Sequence, residues 1–428
     1  MVSFFQDWIG SIKFMNNIVV FATDDVGGAG KAALRIVKAF NRSGRNCKML
    51  VKNKTSVDND VIKIQPISKF PFEQRVLRYF ANLRKRGVRL NDKYFFGGRY
   101  DDIYYMDIDK YINFVPDTII VTWITWFVSP KTIKLFADKC GAKIVICPLD
   151  MSPFTGGCHY AWNCNGFESN CKHCPAIIDE KYKYIAVNIL KEKREYWSDN
   201  IARFWSCSSG LSSELNRASI VQNKRVENLL IPIDENIFNA NNRINAKNVF
   251  GIDSSDKVIL FGSTFSYEER KGINFFLESI EVLHNMLSVS QKQNIKIVIA
   301  GRKIQEKFKY RLPFDIIDID FIKDDLLLSQ LYQASDVLVC PSIQDSGPMM
   351  INEAQMCGLP VVAFKVGVIP DFIINDFSGY TCDIGNVEQM AIGIKKIVFN
   401  EICLDNMEIA NVAFDKTSFN SFNRFINS

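Results

Sequence analysis

The strongest constraint on the fold of this 428-residue chain is a repeated alternation of short apolar runs with longer amphipathic stretches. In the first half the apolar runs are 17–22 (NIVVFA), 47–51, 118–123 and 143–148, with a helix expected over 29–42. The runs are continuous and rich in β-branched residues, which is typical of strands covered on both faces. Such strands separated by helices predict a doubly wound, parallel α/β sheet.

The second half repeats the pattern and predicts a second sheet of the same kind. Its strand candidates are 257–262 (KVILFG), 295–300 (IKIVIA), 336–340 and 360–364, with amphipathic helices near 273–287, 326–334 and 349–356. We expect a boundary within 223–237, giving an N-terminal domain over 1–225 with a Cys-rich insertion at 150–178. A C-terminal domain would then cover 226–400, and a helical tail over 401–428 would pack back on the N-terminal domain. The carboxyl ends of parallel strands are where such domains bind ligands.

The charges are unevenly divided between the two halves. Residues 1–225 contain 34 Lys and Arg against 21 Asp and Glu, a net charge of +13, whereas the remainder carries −8. This asymmetry indicates that the N-terminal half faces something anionic, either a phospholipid surface or a pyrophosphate-bearing substrate. The sequence shows neither a spanning run of about 20 apolar residues nor a signal peptide, so it predicts a cytoplasmic protein.

The most informative segment is 340–371, CPSIQDSGPMMINEAQMCGLPVVAFKVGVIPD. A strand ends near its start, Asp345, Gly347 and Pro348 lie in a loop, and a helix then carries Glu353. Backbone N–H groups at such a helix start bind anionic oxygens. The two carboxylates can accept hydrogen bonds from two separate sets of hydroxyls, as a sugar joined to a ribose would present. For two isolated acids the alternative is a helix cap and a solvated side chain.

This segment resembles the nucleotide-sugar-binding signature of retaining GT-B glycosyltransferases of group 1, in particular a branch that makes bacterial surface polysaccharides. The resemblance implies two Rossmann-like domains facing a central cleft and a retaining hexosyltransferase activity. It also implies that Asp345 and the backbone of Gly347, Pro348 and Met349 hold the donor sugar, and that Glu353 binds the ribose. The family most often has Glu where this chain has Asp345.

The segment 261–272 (FGSTFSYEERKG) resembles the loop that carries the family's pyrophosphate-binding cations. The resemblance makes Arg270 and Lys271 the candidate catalytic cations, because fixed cations stabilise the charge that develops on a leaving diphosphate. The alternative for an adjacent Arg-Lys pair is a solvated turn. Relatives commonly have an arginine where this chain has Ser263 and Thr264.

Two N-terminal segments complete the expected site. In 24–33 (DDVGGAGKAA) glycines after a strand allow close approach of a ligand. By resemblance Gly27 and Gly28 belong to the family's first loop, which lines the cleft opposite the donor and is expected to contact it, and Lys31 is a basic acceptor contact. The segment 149–160 (LDMSPFTGGCHY) resembles one in which a His-Asp pair precedes Thr-Gly-Gly-Cys-His-Tyr. Here Leu149 replaces the His, and Asp150 remains as a candidate for binding the acceptor or for stabilising positive charge at the anomeric carbon.

A cysteine cluster overlaps this second segment. Four cysteines fall within 17 residues, with two histidines interleaved: Cys158, Cys164, Cys171, Cys174, His159 and His173. Four soft ligands in a short loop suit a tetrahedral structural zinc, with free thiols and disulfides as alternatives. In either case we expect no catalytic metal, because four protein ligands leave no open coordination position.

A basic amphipathic segment at 76–90, with Arg78, Arg84, Lys85, Arg86 and Arg89, and an amphipathic segment at 4–14 suggest peripheral attachment to the inner membrane. A solvated helix face is the alternative. Attachment would place the enzyme where lipid-linked oligosaccharide acceptors reside.

The leading hypothesis is therefore a transferase that moves a sugar from a nucleoside-diphosphate sugar to a glycan or lipid-linked acceptor. A sugar-nucleotide epimerase of the same fold is the alternative within enzymes; a phosphorylase would need a far longer chain. A zinc-dependent nucleic-acid binder is the non-enzymatic alternative. The acidic C-terminal half would repel nucleic-acid phosphates, so we expect no nucleic-acid partner.

Overall fold

The computed structural model describes residues 15–64, 87–97, 110–198, 201–221, 226–263, 268–301 and 306–427. The chain divides into two compact units. Unit 1 comprises Met1–Cys207, Leu211–Ile231 and Asn423–Ser428, and unit 2 comprises Ser208–Gly210 and Pro232–Phe422. Each unit is built on one parallel sheet, so the predicted α/β fold with two Rossmann-like domains is confirmed.

In the described residues of unit 1, seven strands pair in parallel in the order β3-β2-β1-β4-β5-β6-β7. Their bounds are β1 Asn17–Asp24, β2 Asn46–Asn53, β3 Val61–Lys63, β4 Thr118–Val121, β5 Lys143–Ile146, β6 Ala202–Ser206 and β7 Glu227–Asn228. The accompanying α-helices are α1 Gly27–Arg42, α2 Pro130–Cys140, α3 Tyr184–Trp197 and α4 Ser209–Arg217.

In the described residues of unit 2, six strands pair in parallel in the order β10-β9-β8-β11-β12-β13. These are β8 Lys257–Ser263, β9 Ile295–Gly301, β10 Asp315–Ile319, β11 Val337–Cys340, β12 Val361–Phe364 and β13 Gly379–Cys382. The helices after residue 226 are α5 Arg243–Val249, α6 Ile273–Met286, α7 Val289–Lys292, α8 Glu306–Lys309, α9 Asp325–Ala334, α10 Met349–Met356, α11 Ile369–Phe372, α12 Val387–Val398, α13 Asn406–Thr417 and α14 Phe419–Asn427.

The burial of apolar side chains explains why β1 and α1 form where they do. Ile18, Val19, Val20 and Phe21 of β1 are fully buried, as a strand covered by helices on both faces requires. Helix α1 places its buried side chains at helical spacing against this sheet: Ala33, Ile36, Val37 and Phe40. The helix begins at Gly27 rather than at residue 29, so the glycines expected in a turn before it form its first turn instead.

In each sheet the chain changes once the side on which it adds its next strand, and this change determines where a ligand can bind. In unit 1 the chain moves outward from β1 to β2 and β3, then returns to place β4 on the other side of β1. In unit 2 the same reversal places β11 beside β8. At such a switch point the loops after the two central strands diverge and leave a crevice at their carboxyl ends. The four segments expected to form the site follow β1, β8 and β11, which lie at these switch points, and β5, which pairs with β4.

Among the described residues, no helix is both long enough and apolar enough to cross a membrane.

Candidate functional site

The switch point of unit 2 holds a half-buried cluster of charges formed by Asp345, Arg270 and Lys271. The carboxylate of Asp345, in the loop after β11, lies 2.5 Å from Nζ of Lys271 and 3.1 Å from Nη1 of Arg270. Arg270 also pairs with Glu268 at 2.6 Å. Burial opposes ionisation of Asp345, but the two cations and the N–H group of Gly347 hold its pKa below the usual range. The loop after β8 and the loop after β11 thus present two fixed cations and a carboxylate together.

A glycine makes this arrangement possible. Arg270 and Lys271 lie on the 3₁₀ turn Glu269–Lys271, and Gly272 follows with φ +72°. A Cβ at Gly272 would lie 1.9 Å from the carbonyl oxygen of Pro341, so a residue with a side chain would push the two loops apart. The backbone bond from Ile343 N–H to the carbonyl oxygen of Arg270, 2.9 Å long, joins the loops on the same side.

Helix α10 begins beside this cluster. Pro348 precedes its first residue, Met349, and provides no side-chain cap. The N–H group of Gly347 donates to Asp345 Oδ1 at 3.1 Å, which orients the carboxylate across the start of the helix. An uncapped helix start carries partial positive charge and suits an anionic group.

Glu353 lies one turn into α10 and is 5% exposed. Its Oε2 accepts a 2.7 Å hydrogen bond from the hydroxyl of Tyr332, a residue of α9. The Tyr332 ring in turn lies 6.4 Å from that of Phe238. Glu353 is therefore held by packing and by a defined bond; it is not the solvated acid of the alternative interpretation.

Residues 208–210, which the sequence did not single out, support the loop that carries Asp345. The hydroxyl of Ser208 donates to the carbonyl oxygen of Ser346, and the N–H group of Ser209 donates to Asp371 at 2.8 Å. The N–H group of Gly210 donates to the carbonyl oxygen of Gly367 at 3.2 Å. These backbone contacts carry no sequence pattern that could have predicted them.

In unit 1, Asp150 forms a buried pair with His159. Its Oδ2 lies 2.6 Å from His159 Nδ1, and its Oδ1 accepts the N–H group of Ser152 at 2.8 Å. Burial opposes ionisation, but His159 and the Ser152 N–H group hold the pKa of Asp150 below its usual range. With Nδ1 directed at Asp150, the other ring nitrogen, Nε2, lies 3.5 Å from Thr125 Oγ1. The sequence placed Asp150 in the site and missed His159.

Aromatic rings surround His159 at the switch point of unit 1. Phe95, Trp123 and Trp126 lie with ring centroids 4.4, 5.8 and 6.4 Å from the His159 ring. The two tryptophans follow β4, and Phe95 is 49% exposed. Both Phe95 and Trp126 have positive φ, 34° and 61°, which is strained for a residue with an aromatic side chain. Strain of this kind persists where the surrounding structure enforces it, often at functional sites.

The remaining predicted residues of unit 1 lie at the start of α1. Gly27 has φ +74°, and open space surrounds the position of a Cβ at both Gly27 and Gly28. Lys31 lies one turn further along and is half-buried. The first turn of α1 carries no acidic residue and no side-chain cap, so it keeps its positive potential.

The four clustered cysteines line one small cavity together with Thr155, Gly156, Ala161 and Phe167. All twelve cysteines of the chain are free thiols. A hydrogen bond from Cys158 lowers the pKa of the Cys174 thiol, and the same bond raises the pKa of Cys158. Across the described part of the chain, no three His, Cys, Asp or Glu side chains already stand in an arrangement that could hold a metal ion.

Comparison with known proteins finds similarity to a family within unit 2. Residues 242–411 match the model of the family Glycosyl transferases group 1, and this segment contains Arg270, Lys271, Asp345 and Glu353. The chain is 28% identical, over 174 residues, to an uncharacterized glycosyltransferase of Methanocaldococcus jannaschii. That match covers 38% of this chain and 42% of the relative, so it spans less than half of either protein.

Solved structures extend the likeness to the whole fold. The crystal structure of HepE from Anabaena in complex with UDP and glucose gives a TM-score of 0.61 at 15% identity, covering 96% of this chain and 98% of that one. WaaG, a glycosyltransferase involved in lipopolysaccharide biosynthesis, also gives 0.61 at 15% identity, covering 95% and 97%. At this identity the likeness concerns the fold alone. It confirms the GT-B class of fold expected from the motifs.

Proposed function

We propose that this chain is a retaining glycosyltransferase that uses a nucleoside-diphosphate sugar as donor. Its acceptor would be a glycan or a lipid-linked oligosaccharide in the synthesis of a bacterial surface polysaccharide. The observation that carries the proposal is the half-buried cluster of Asp345, Arg270 and Lys271 at the switch point of unit 2, within the segment that matches the family. Among the structural neighbours, HepE was crystallised with UDP and glucose, a precedent for such a donor.

The cations would act on the leaving group. When the bond between sugar and diphosphate breaks, negative charge builds on the diphosphate. Arg270 and Lys271 are fixed before the reaction, so they stabilise this charge without reorganisation; removing one such group costs about 3–4 kcal/mol of barrier. Because the two cations already neutralise the charge, no catalytic metal is required in this scheme.

The start of α10 would hold the donor sugar. Asp345 would accept hydrogen bonds from sugar hydroxyls, beside the backbone of Gly347, Pro348 and Met349. Glu353, held by Tyr332, would accept the ribose hydroxyls. A carboxylate fixed in this way favours a diol because each hydroxyl can donate one charge-assisted hydrogen bond.

Unit 1 would hold the acceptor. The exposed ring of Phe95 and the half-buried ring of Trp126 offer flat apolar faces on which a sugar ring can pack. The two oxygens of Asp150 already contact His159 and the N–H group of Ser152, so we assign Asp150 to orienting His159, whose buried ring packs against the exposed Phe95. Lys31 would be a further acceptor contact, and Gly27 and Gly28 would allow close approach of the donor.

The decisive experiment is a thermal-shift panel of nucleoside diphosphates and sugar nucleotides on the wild-type chain and on Glu353→Gln. A ligand that binds only the folded state stabilises it by RT ln(1 + [L]/Kd). We expect stabilisation by one nucleotide class that Glu353→Gln loses. Glu278→Gln is the matched control, since Glu278 lies exposed on α6 of the same unit.

The selected donor then enters an assay with glycan acceptors. Transfer with the same anomeric configuration in donor and product supports the proposal. Conversion of the sugar nucleotide without an acceptor would show an epimerase instead. If no nucleotide shifts the melting temperature of the wild-type chain, the transferase proposal is wrong.

Attachment to the inner-membrane surface remains part of the proposal. Residues 4–14 and 76–86 lie outside the described residues, and Arg89 pairs with Asp179 at 2.7 Å. We expect salt-sensitive binding to vesicles containing anionic phospholipid and none to neutral vesicles. Absence of binding to anionic vesicles at low salt would contradict the proposed membrane attachment.

A further inference from the structure

Four thiols converge on one cavity in the insertion of unit 1. Cys158, Cys171 and Cys174 are buried, and Cys164 is half-buried. The rest of the cavity wall is Thr155, Gly156, Ala161 and Phe167, none of which carries a charge. Neither the nucleotide chemistry of unit 2 nor the acceptor site proposed above uses these thiols.

The backbone donates a hydrogen bond to one of the sulfur atoms. The N–H group of Gly166 lies 3.4 Å from Cys164 Sγ. A donor of this kind stabilises negative sulfur, which is the state in which cysteine binds a metal.

Gly166 lies between two of the sulfur atoms. Cys164 Sγ and Cys171 Sγ are 3.3 and 3.8 Å from the point where a Cβ at Gly166 would be. Cys158 and Cys174 line the same cavity. Two sulfur ligands of a tetrahedral zinc with Zn–S bonds of about 2.3 Å lie about 3.8 Å apart.

We propose that Cys158, Cys164, Cys171 and Cys174 bind one Zn²⁺ ion in a closed, tetrahedral structural site. No three of these side chains stand at metal-binding geometry in the described structure, so binding would draw the four sulfur atoms together across the cavity. Four thiols release four protons and leave a ZnS₄ centre of charge −2. The buried Lys193 offsets this charge: its Nζ donates to the carbonyl oxygens of Ser152, at 2.5 Å, and Thr155, at 2.9 Å, in the same insertion.

The site would stabilise the neighbouring residues of unit 1. His159 follows Cys158 directly, and its N–H group donates to the carbonyl oxygen of Phe95 at 3.1 Å. Phe96 forms a β-bridge with Cys158. A zinc ion bound through Cys158 would therefore fix His159 and Phe95, although with four protein ligands it has no position for a substrate.

The test is metal analysis of the full-length chain, purified without chelator, by inductively coupled plasma mass spectrometry. We expect about one zinc per chain in the wild type and in Cys403→Ser, whose cysteine is exposed and outside the cluster. Cys158→Ser and Cys174→Ser should each lose most of the zinc. A folded variant that keeps a full equivalent of zinc would overturn the assignment of that ligand.

Reconstitution keeps the proposal testable if the variants fail to fold. The wild-type chain is stripped of metal with a chelator under reducing conditions and titrated with Co²⁺. Saturation at about one equivalent with the visible bands of tetrahedral cobalt thiolate supports the site. Wild-type protein that contains no zinc and gives no such bands overturns it. Intact-mass loss of two or four hydrogens in zinc-free protein that was never reduced would show disulfides instead.

Discussion

Asp345 has a double role at the residue scale, and this leads to a first prediction. In the structure its carboxylate pairs with both Arg270 and Lys271, the groups we assign to the diphosphate. Asp345→Asn removes this competing negative charge from both cations, while Arg270 keeps its pair with Glu268. We therefore expect a nucleoside diphosphate without sugar to bind as well as or better than in the wild type. Sugar transfer should fall about 10²–10³-fold, since the donor sugar loses its carboxylate.

Calorimetric titration and turnover measured side by side check this prediction. Loss of nucleoside-diphosphate binding in Asp345→Asn, with the protein still folded, would contradict it. Glu278→Gln again serves as the control, because its exposed carboxylate lies on α6 away from the charge cluster.

Asp150 gives a second prediction, on pH. Its folded-state pKa is lowered from 3.8, so its pairing with His159 contributes stability above about pH 4, and that contribution is lost as pH falls through the folded-state pKa. Urea denaturation of Asp150→Asn should show a loss relative to wild type at pH 6 that shrinks toward pH 3. Asp138→Asn, in an exposed pair with Lys134, should change the unfolding free energy by about 0.5 kcal/mol or less at either pH.

The same pair shows where residue-level prediction stops. Arg270, Lys271, Asp345 and Glu353 could be chosen as candidates because they lie in segments that resemble a family motif along the chain. His159 was considered only as a member of the cysteine cluster. Its contact with Asp150, nine residues earlier, depends on the fold of the segment between them, which the sequence does not reveal. Positive φ at Phe95 and Trp126 has no sequence signal either, because neither residue favours that conformation.

Helix α4 carries a third prediction at the scale of elements. Burial raises the pKa of Glu214 from 4.5 to about 7, against the opposing effect of Arg217. The charged form is thus disfavoured in the folded state; the cost is absent below about pH 4.5 and complete above pH 7. We expect Glu214→Gln to stabilise the protein at pH 8 by on the order of 1–3 kcal/mol and to be neutral at pH 4.

Chemical denaturation at the two pH values tests this prediction. Glu278→Gln should show no such pH dependence, because its side chain is exposed. Equal effects of Glu214→Gln at pH 4 and pH 8 would show that packing, and not ionisation, dominates at this position.

Most elements could be predicted because the sheets are parallel and buried. The candidates at 295–300 and 360–364 end within a residue of β9 and β12, and the helix expected at 349–356 is α10 as observed. The start of α1 was missed by two residues because glycine has low helix propensity and Val26 gives no capping signal. The small supports at 208–210 are backbone contacts made through the fold, which composition does not reveal.

The distribution of tryptophan gives the whole molecule a built-in reporter. All six tryptophans of the chain lie at or before residue 205, and Trp123 and Trp126 are at the aromatic cluster of unit 1. The residues proposed to bind the diphosphate all belong to unit 2. A ligand held only by unit 2 therefore meets no tryptophan of its own unit, whereas a sugar packed on Trp126 lies against one.

The fourth prediction distinguishes nucleotide binding from acceptor binding by their effects on tryptophan emission. A nucleoside diphosphate should raise the melting temperature with little change in tryptophan emission, and Glu353→Gln should abolish the rise. An acceptor glycan should change the emission, and Trp126→Phe should remove most of that change while leaving the thermal response to nucleotide intact. Trp205→Phe is the matched control, since Trp205 is buried and donates to the carbonyl oxygen of Leu229 away from the cluster. If Trp126→Phe keeps the full acceptor signal and the acceptor KM of the wild type, the acceptor lies elsewhere on the chain, and only the donor half of the proposal stands.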